Sequence, residues 1–148
     1  MNSEHVQHFE TAYPELYAGE NKYGGFAVGD GWFAIIDELS GKIQSHQKWK
    51  PETPPVVIEQ IKEKFGSLRF YYQGGDEYIA GLVAMAESMS RVTCEVCGNA
   101  GKARGGGWIR VLCDTHDAEL QQRKKDKDWD KELKMKAGFT REGERGEN

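Results

Sequence analysis

The sequence has no apolar run approaching the ~20 residues that a bilayer-spanning helix requires. Its opening, Met1 to Glu15, mixes acids with histidines and has no apolar signal-peptide core. A cytoplasmic protein is the expectation. Cysteine is scarce: there are three, an odd number, and two of them are separated by only two residues. A secreted disulfide framework favours an even count at wider spacing, so metal binding in a reducing compartment fits better. Bulk positive charge is lacking too. The formal net charge is −4, which gives the whole surface no attraction for nucleic acid. The halves differ, with 13 acids and 8 bases over residues 1–92 against 11 acids and 12 bases over 93–148. A metal held by three thiolates would add roughly −1 to the second half, leaving it near neutral.

What is present describes a polar globular chain of 148 residues, the size of one ordinary domain with a small satellite. Aromatics at 11% argue against wholesale disorder, and 18 glycines give turns a large share. Residues 1–29 carry little pattern. His5 to Tyr17 reads as a short amphipathic helix broken at Pro14, with Phe9, Tyr13 and Leu16 on one side, and Tyr23-Gly24-Gly25-Phe26 is turn-rich. Trp32, Ile35, Ile36, Leu39 and Ile43 then recur at helical spacing. They predict a helix capped by Asp30 and ending near Gln47.

Pro51, Pro54 and Pro55 mark a loop. Val56 to Lys64 fits either a strand or a helix, and its β-branched start after prolines favours strand. Phe65-Gly66-Ser67 is the turn, Leu68 to Tyr72 the returning strand, and Gly74-Gly75-Asp76 its close. Asp76 then caps a helix with Ile79, Leu82, Val83, Ala86 and Met89 on one face, ending near Arg91.

The strongest motif is Cys94-x-x-Cys97, fifteen residues, then Cys113-x-x-His116. Zinc takes four soft or borderline ligands in a tetrahedron, and two ligands separated by two residues can reach one ion from a single tight turn. Gly98 after the first pair lets backbone amides turn toward the thiolate. Gly105-Gly106-Gly107 is a turn, with Trp108 to Leu112 a strand returning from it, and Asp117 to Lys136 is helical. A knuckle, a hairpin and ligands at a helix start describe a treble-clef zinc finger. The bland alternative is buried cysteines beside an unrelated histidine. Four protein ligands close the coordination sphere, so one structural Zn2+ is expected.

The strings Gly29-Asp30-Gly31-Trp32, Lys62-Glu63-Lys64-Phe65-Gly66-Ser67-Leu68-Arg69-Phe70-Tyr71 and Thr93-Cys94-Glu95-Val96-Cys97-Gly98, with Gly107-Trp108 and Leu112-Cys113-Asp114-Thr115-His116, carry a resemblance. Over residues 24–118 the chain resembles uncharacterised small proteins of bacteria and their phages. That resemblance implies the zinc-finger fold and the compartment, and attaches no activity.

Other candidate chemistry is thinner. Treble clefs occur in His-metal nucleases, which need a histidine base on the hairpin, and Gly98 to Leu112 has none. No enzyme is expected. His5 and His8 share a helical face, yet no acid or cysteine at useful spacing joins them, and exposed terminal histidines are the simpler account. His46, at a helix end, meets the helix dipole or water. Arg69-Phe70-Tyr71-Tyr72 resembles stacking surfaces for single-stranded RNA. Alternation, however, sends Leu68, Phe70 and Tyr72 to one face, with Arg69 and Tyr71 on the other. Lys102, Arg104 and Arg110 are either a small anion-binding tip or solvated hairpin charges. The Arg123-Lys124-Lys125-Asp126-Lys127-Asp128 run interleaves acids, as a salt-bridged exposed helix does. Trp129 within that run stands out as a partner contact.

The expected fold is therefore α+β. A helix–β-hairpin–helix domain over 1–92 precedes a treble-clef module with a charged C-terminal helix over 93–137 and a disordered tail over 138–148. The expected function is a small zinc-containing interaction protein, phage-encoded and binding a host bacterial protein through Arg69, Tyr71, Arg104, Arg110 and Trp129. The alternative is a nucleic-acid-binding zinc-finger protein using Lys102, Arg104, Arg110 and the Arg123–Lys127 bases.

Overall fold

The computed structural model describes residues 1–19 and 25–142, with side chains through residue 135. The chain is mixed α+β and divides into two compact units, Met1–Cys113 and Asp114–Asn148.

The first unit starts with helix α1 (Ser3–Ala12), whose N-cap Asn2 accepts from the His5 amide through its side chain. The helix stops ahead of Pro14; Phe9 on it and Leu16 beyond it are both buried. The turn-rich reading at Tyr23–Phe26 lies partly outside the described residues; Phe26–Ala27 form a short strand, β1.

A single 3-10 turn over Asp30–Trp32 leads into helix α2 (Phe33–Trp49). Asp30 is therefore not its cap. The Asp30 carboxylate instead accepts from the Asn2 amide at 2.7 Å and pairs with His5 Nδ1 at 2.9 Å, fastening the N-terminus to this turn. Ile36, Leu39, Ser40 and Ile43 form the buried face of α2 at i, i+3, i+4 and i+7. The Ser40 hydroxyl remains satisfied there through Ile36 O and the Tyr17 hydroxyl, each at 2.8 Å.

Strands β2 (Val57–Glu63) and β3 (Leu68–Gln73) are antiparallel, with Ile61 opposite Phe70 and Lys62 opposite Arg69. β1 joins β2 in parallel, so the expected hairpin is part of a three-stranded mixed sheet in the order β1-β2-β3. The two-residue alternation holds: Leu68 and Phe70 are buried, whereas Tyr71 faces solvent. Helix α3 (Glu77–Ser90) is capped by Asp76, which accepts from the Ile79 amide. It packs on α2 and β3. Its side chains also satisfy the outer edge of β3, because Leu68 N donates to Ser90 Oγ at 2.8 Å and Phe70 N to Glu87 Oε1 at 3.0 Å. An edge engaged in this way is a poor template for pairing with another strand.

Phe9, Trp32, Ile36, Ile43, Ile61, Leu68 and Ile79 form the centre of one apolar cluster. Each such side chain contributes about 1.5–3 kcal/mol by leaving water. A second, two-stranded sheet pairs β4 (Lys102–Arg104) with β5 (Arg110–Leu112). β5 begins two residues later than the expected Trp108, which sits in the turn and is 76% exposed.

The described residues of the second unit form one helix, α4 (Asp114–Glu142). Gln121 and Gln122 donate to Asp117 and Asp126, one turn away. Of the tail expected from Gly138, residues 143–148 lie outside the described residues.

Candidate metal centre

Cys94 and Cys97 sit in one tight turn, closed by Cys94 N donating to Asn99 O at 2.7 Å and Gly98 N donating to Cys94 O at 2.9 Å. Gly98, at φ 80°, supplies the left-handed residue that this reversal needs. Cys113 directly follows β5, and His116 comes three residues later. The ligand atoms of Cys94, Cys97, Cys113 and His116 all lie within 4.8 Å of one another, the one such group among the described residues. Cys97 Sγ and Cys113 Sγ are 3.9 Å apart. That is far too long for a disulfide. It matches the ~3.8 Å edge of a tetrahedron built on metal–sulfur bonds of ~2.3 Å. The donor set is compatible with one metal ion.

The local electrostatics favour thiolate. Burial raises the Cys94 thiol pKa, but backbone N–H groups of Cys113, Cys97 and Val96 aimed at the sulfur outweigh it, and the result is a fall to about 6. For Cys97 the Asn99 amide pulls downward. Burial and the neighbouring Cys94 and Cys113 sulfurs prevail, and its thiol is pushed up. Three sulfurs this close share their negative charge poorly without a cation between them.

The turn does not stand alone. Gly31 N donates to Glu95 O at 3.0 Å, and Trp32 Nε1 donates to Thr93 O at 2.9 Å. A Cβ on Gly31 would lie 2.1 Å from Cys94 O, and one on Gly29 would lie 2.0 Å from Glu95 O. The Gly29–Trp32 string is thus the seat on which the cysteine turn rests. Glu95 N donates in turn to Val111 O, and the Glu95 carboxylate accepts from Arg110 Nε, while its second oxygen is buried without a hydrogen-bond partner.

The remaining sequence-derived residues are dispersed. Arg69 is half-buried and donates to Ser67 Oγ at 3.1 Å. Tyr71 is exposed with Lys62 Nζ 5.4 Å from its ring centroid. Arg104 donates through Nε to Leu112 O, and Arg110 is paired with Glu95, so both guanidinium groups of the expected basic tip are engaged internally. Trp129 is 62% exposed on α4.

The histidines at 5, 8 and 46 are more engaged than their sequence context suggests. His5 and His8 address different carboxylates, Asp30 and Asp37, rather than a shared metal. His46 neither faces water nor merely meets a helix dipole: its Nε2 lies 2.8 Å from Asp76 Oδ2, and its ring stacks on Tyr78.

Two further features arise from packing between segments that the sequence pattern treats separately. Glu63, Lys64, Phe65, Gly107, Trp108 and Ile109 line a cleft of about 180 Å³ between the tip of the β2–β3 hairpin and the tip of the β4–β5 hairpin. The other is an apolar groove between α2 and α3. Among the described residues, no helix is long and apolar enough to cross a membrane. Comparison with known proteins finds no matching family model, no matching curated protein and no matching solved structure.

Proposed function

We propose that Cys94, Cys97, Cys113 and His116 hold one structural zinc ion in a treble-clef-like module, and that the chain is an interaction protein that captures a protein partner. Zinc is the metal this donor set suits best, since three thiolates and an imidazole at tetrahedral separation are its usual structural site. Four protein ligands leave no position for an activated water, so the metal serves folding rather than catalysis. The partner reading is carried by the Phe65–Trp108 cleft. Phe65 is 74% exposed and Trp108 is 76% exposed, two large apolar rings beside a concavity in a chain otherwise rich in charge. Aromatic anchors around a pocket are the usual energetic centre of a protein interface. Following the resemblance, the partner is a bacterial protein in the host cytoplasm and the chain is phage-encoded.

Nucleic acid is the second reading. Lys64 Nζ lies 5.6 Å from the Phe65 centroid, and Lys62 flanks Tyr71, so aromatics and bases do alternate. Against it stand the net acidity, Glu63 in the cleft itself, and the internal engagement of Arg104 and Arg110.

The test is affinity capture of the tagged, zinc-loaded protein from bacterial lysate with and without nuclease. A discrete protein that survives nuclease and is lost with Trp108→Ala is the expected result. Partners that vanish with nuclease, or complexes that dissolve steeply with salt, would move the function to nucleic acid.

A further inference from the structure

We propose that the groove between α2 and α3 is a self-association surface, filled by the same groove of a second copy of this chain in a two-fold dimer. The groove encloses about 330 Å³ and is walled by Ile35 and Leu39 of α2 and by Leu82, Met85 and Met89 of α3. Its lining is almost wholly apolar, yet Met85 is 63% exposed and Met89 48% exposed. The solvent side of α3 continues this character. Between Glu77 and Arg91 its only ionisable groups are the Tyr78 phenol, stacked on His46, and Glu87, which is bonded to Phe70 N at the sheet edge. In a chain with 30% charged residues, an uncharged helix face beside an open groove is an unpartnered surface. Methionines adapt to irregular contacts of this kind.

The charges at the rim select the occupant. Glu38 and Lys42 stand one helical turn apart at the α2 edge of the groove, both exposed, and neither forms an ion pair among the described residues. A two-fold interface is isologous: if residue i meets j, then j meets i. An axis passing between these two positions runs the α2 helices antiparallel. It sets Glu38 of each copy against Lys42 of the other, with the methionines interleaved beneath. The surface is thus complementary to itself in both hydrophobicity and charge, a match that a foreign helix would have to reproduce independently. The groove shares no residue with the Phe65–Trp108 cleft. The dimer does not depend on the identity of whatever that cleft binds.

The experiment is sedimentation of the full, zinc-loaded chain over a range of protein concentrations, with far-UV circular dichroism confirming the fold of each variant. Wild type is expected to dimerise reversibly. Glu38→Lys, and separately Lys42→Glu, sets like charges against each other and should weaken association roughly tenfold or more. The double substitution Glu38→Lys with Lys42→Glu should restore it, because the pairing is merely reversed. Met85→Glu should abolish it. A wild type that stays monomeric at every concentration would overturn the proposal. So would a dimer indifferent to Met85→Glu, which places the contact elsewhere, or a double variant as weak as the singles. A monomer that instead captures a foreign protein through Met85 would assign the groove to that partner and equally end the self-association reading.

Discussion

Trp32 donates its indole N–H to the carbonyl of Thr93, 61 residues away, at 2.9 Å, so a fully buried residue of the main core is bonded to the chain immediately before the first metal ligand. Alongside it Gly31 lies against the Cys94–Cys97 backbone with no space for a side chain. Gly31→Ala forces backbone atoms apart on both sides and should cost about 3 kcal/mol or more. It should also weaken metal retention. Trp32→Phe keeps much of the packing but removes the donor from Thr93 O, and about 1–3 kcal/mol is expected. Urea unfolding together with chelator competition reads both. Gly31→Ala holding metal like wild type would show that the cysteine turn does not need this seat.

On the proposed zinc reading, the same coupling makes the ion a determinant of the first unit's stability. Elemental analysis should find one zinc per chain, and chelation should lower the thermal transition and change the emission of the buried Trp32. Cys97→Ser should do so without chelator. Zinc-dependent folding free energy is on the order of 10 kcal/mol in isolated finger peptides, but here the apolar core shares the task and partial loss is expected. Purified protein without zinc and with unfolding indifferent to chelator would refute the site.

Much of this arrangement was legible in the sequence because it rests on local physics. The Cys94-x-x-Cys97 and Cys113-x-x-His116 spacings pick out the four residues whose donor atoms the structure gathers within 4.8 Å, and the Leu68–Phe70 alternation and the Asp76 cap follow from strand period and side-chain capping. Long-range docking was not legible. Asp30 has the residue type of a cap, but a 3-10 turn intervenes and its carboxylate is used by Asn2 and His5 instead. The parallel pairing of Phe26–Ala27 with Ile61–Lys62 involves two residues with no period to detect. The local pattern gives the glycines at 29 and 31 no role, and only the approach of Cys94 and Glu95 reveals them as contact surfaces. The Phe65–Trp108 cleft joins segments more than forty residues apart, which no window along the chain can bring together.

Acid stability should depend on Asp76. Its carboxyl is held below the usual carboxylate range first by the hydrogen bond from His46 and then by the Ile79 amide. Because the folded pKa is the lower one, ionised Asp76 stabilises the fold above its unfolded value, near about 3.9. That contribution is lost as pH falls through the depressed folded value. Urea midpoints followed downward from about pH 6 should therefore drop less steeply in Asp76→Asn than in wild type. Asp30, lowered by the Asn2 amide and then by His5, should contribute in the same direction. An Asp76→Asn profile parallel to wild type would remove this pair from the account of acid unfolding.

Phe65 is the single non-glycine residue with positive φ among those described, at 54°. A bulky side chain in the left-handed region costs about 1 kcal/mol or more. The ring recovers little of that cost by packing, being three-quarters exposed. The following Gly66, at φ 70°, carries the rest of the turn and lies so close to Ile109 that a Cβ would come within 2.7 Å of it, locking the two hairpin tips together. Strain of this kind persists where surroundings over-determine it, and it gathers at ligand clamps. Asn tolerates the same backbone and Gly has no preference against it. Phe65→Asn and Phe65→Gly are therefore expected to leave stability unchanged or raise it by up to about 1 kcal/mol. Both should lose the partner captured from lysate. A structural Phe65 would give the opposite pairing, with lower stability and capture intact, and unfolding curves run beside the capture assay separate the two.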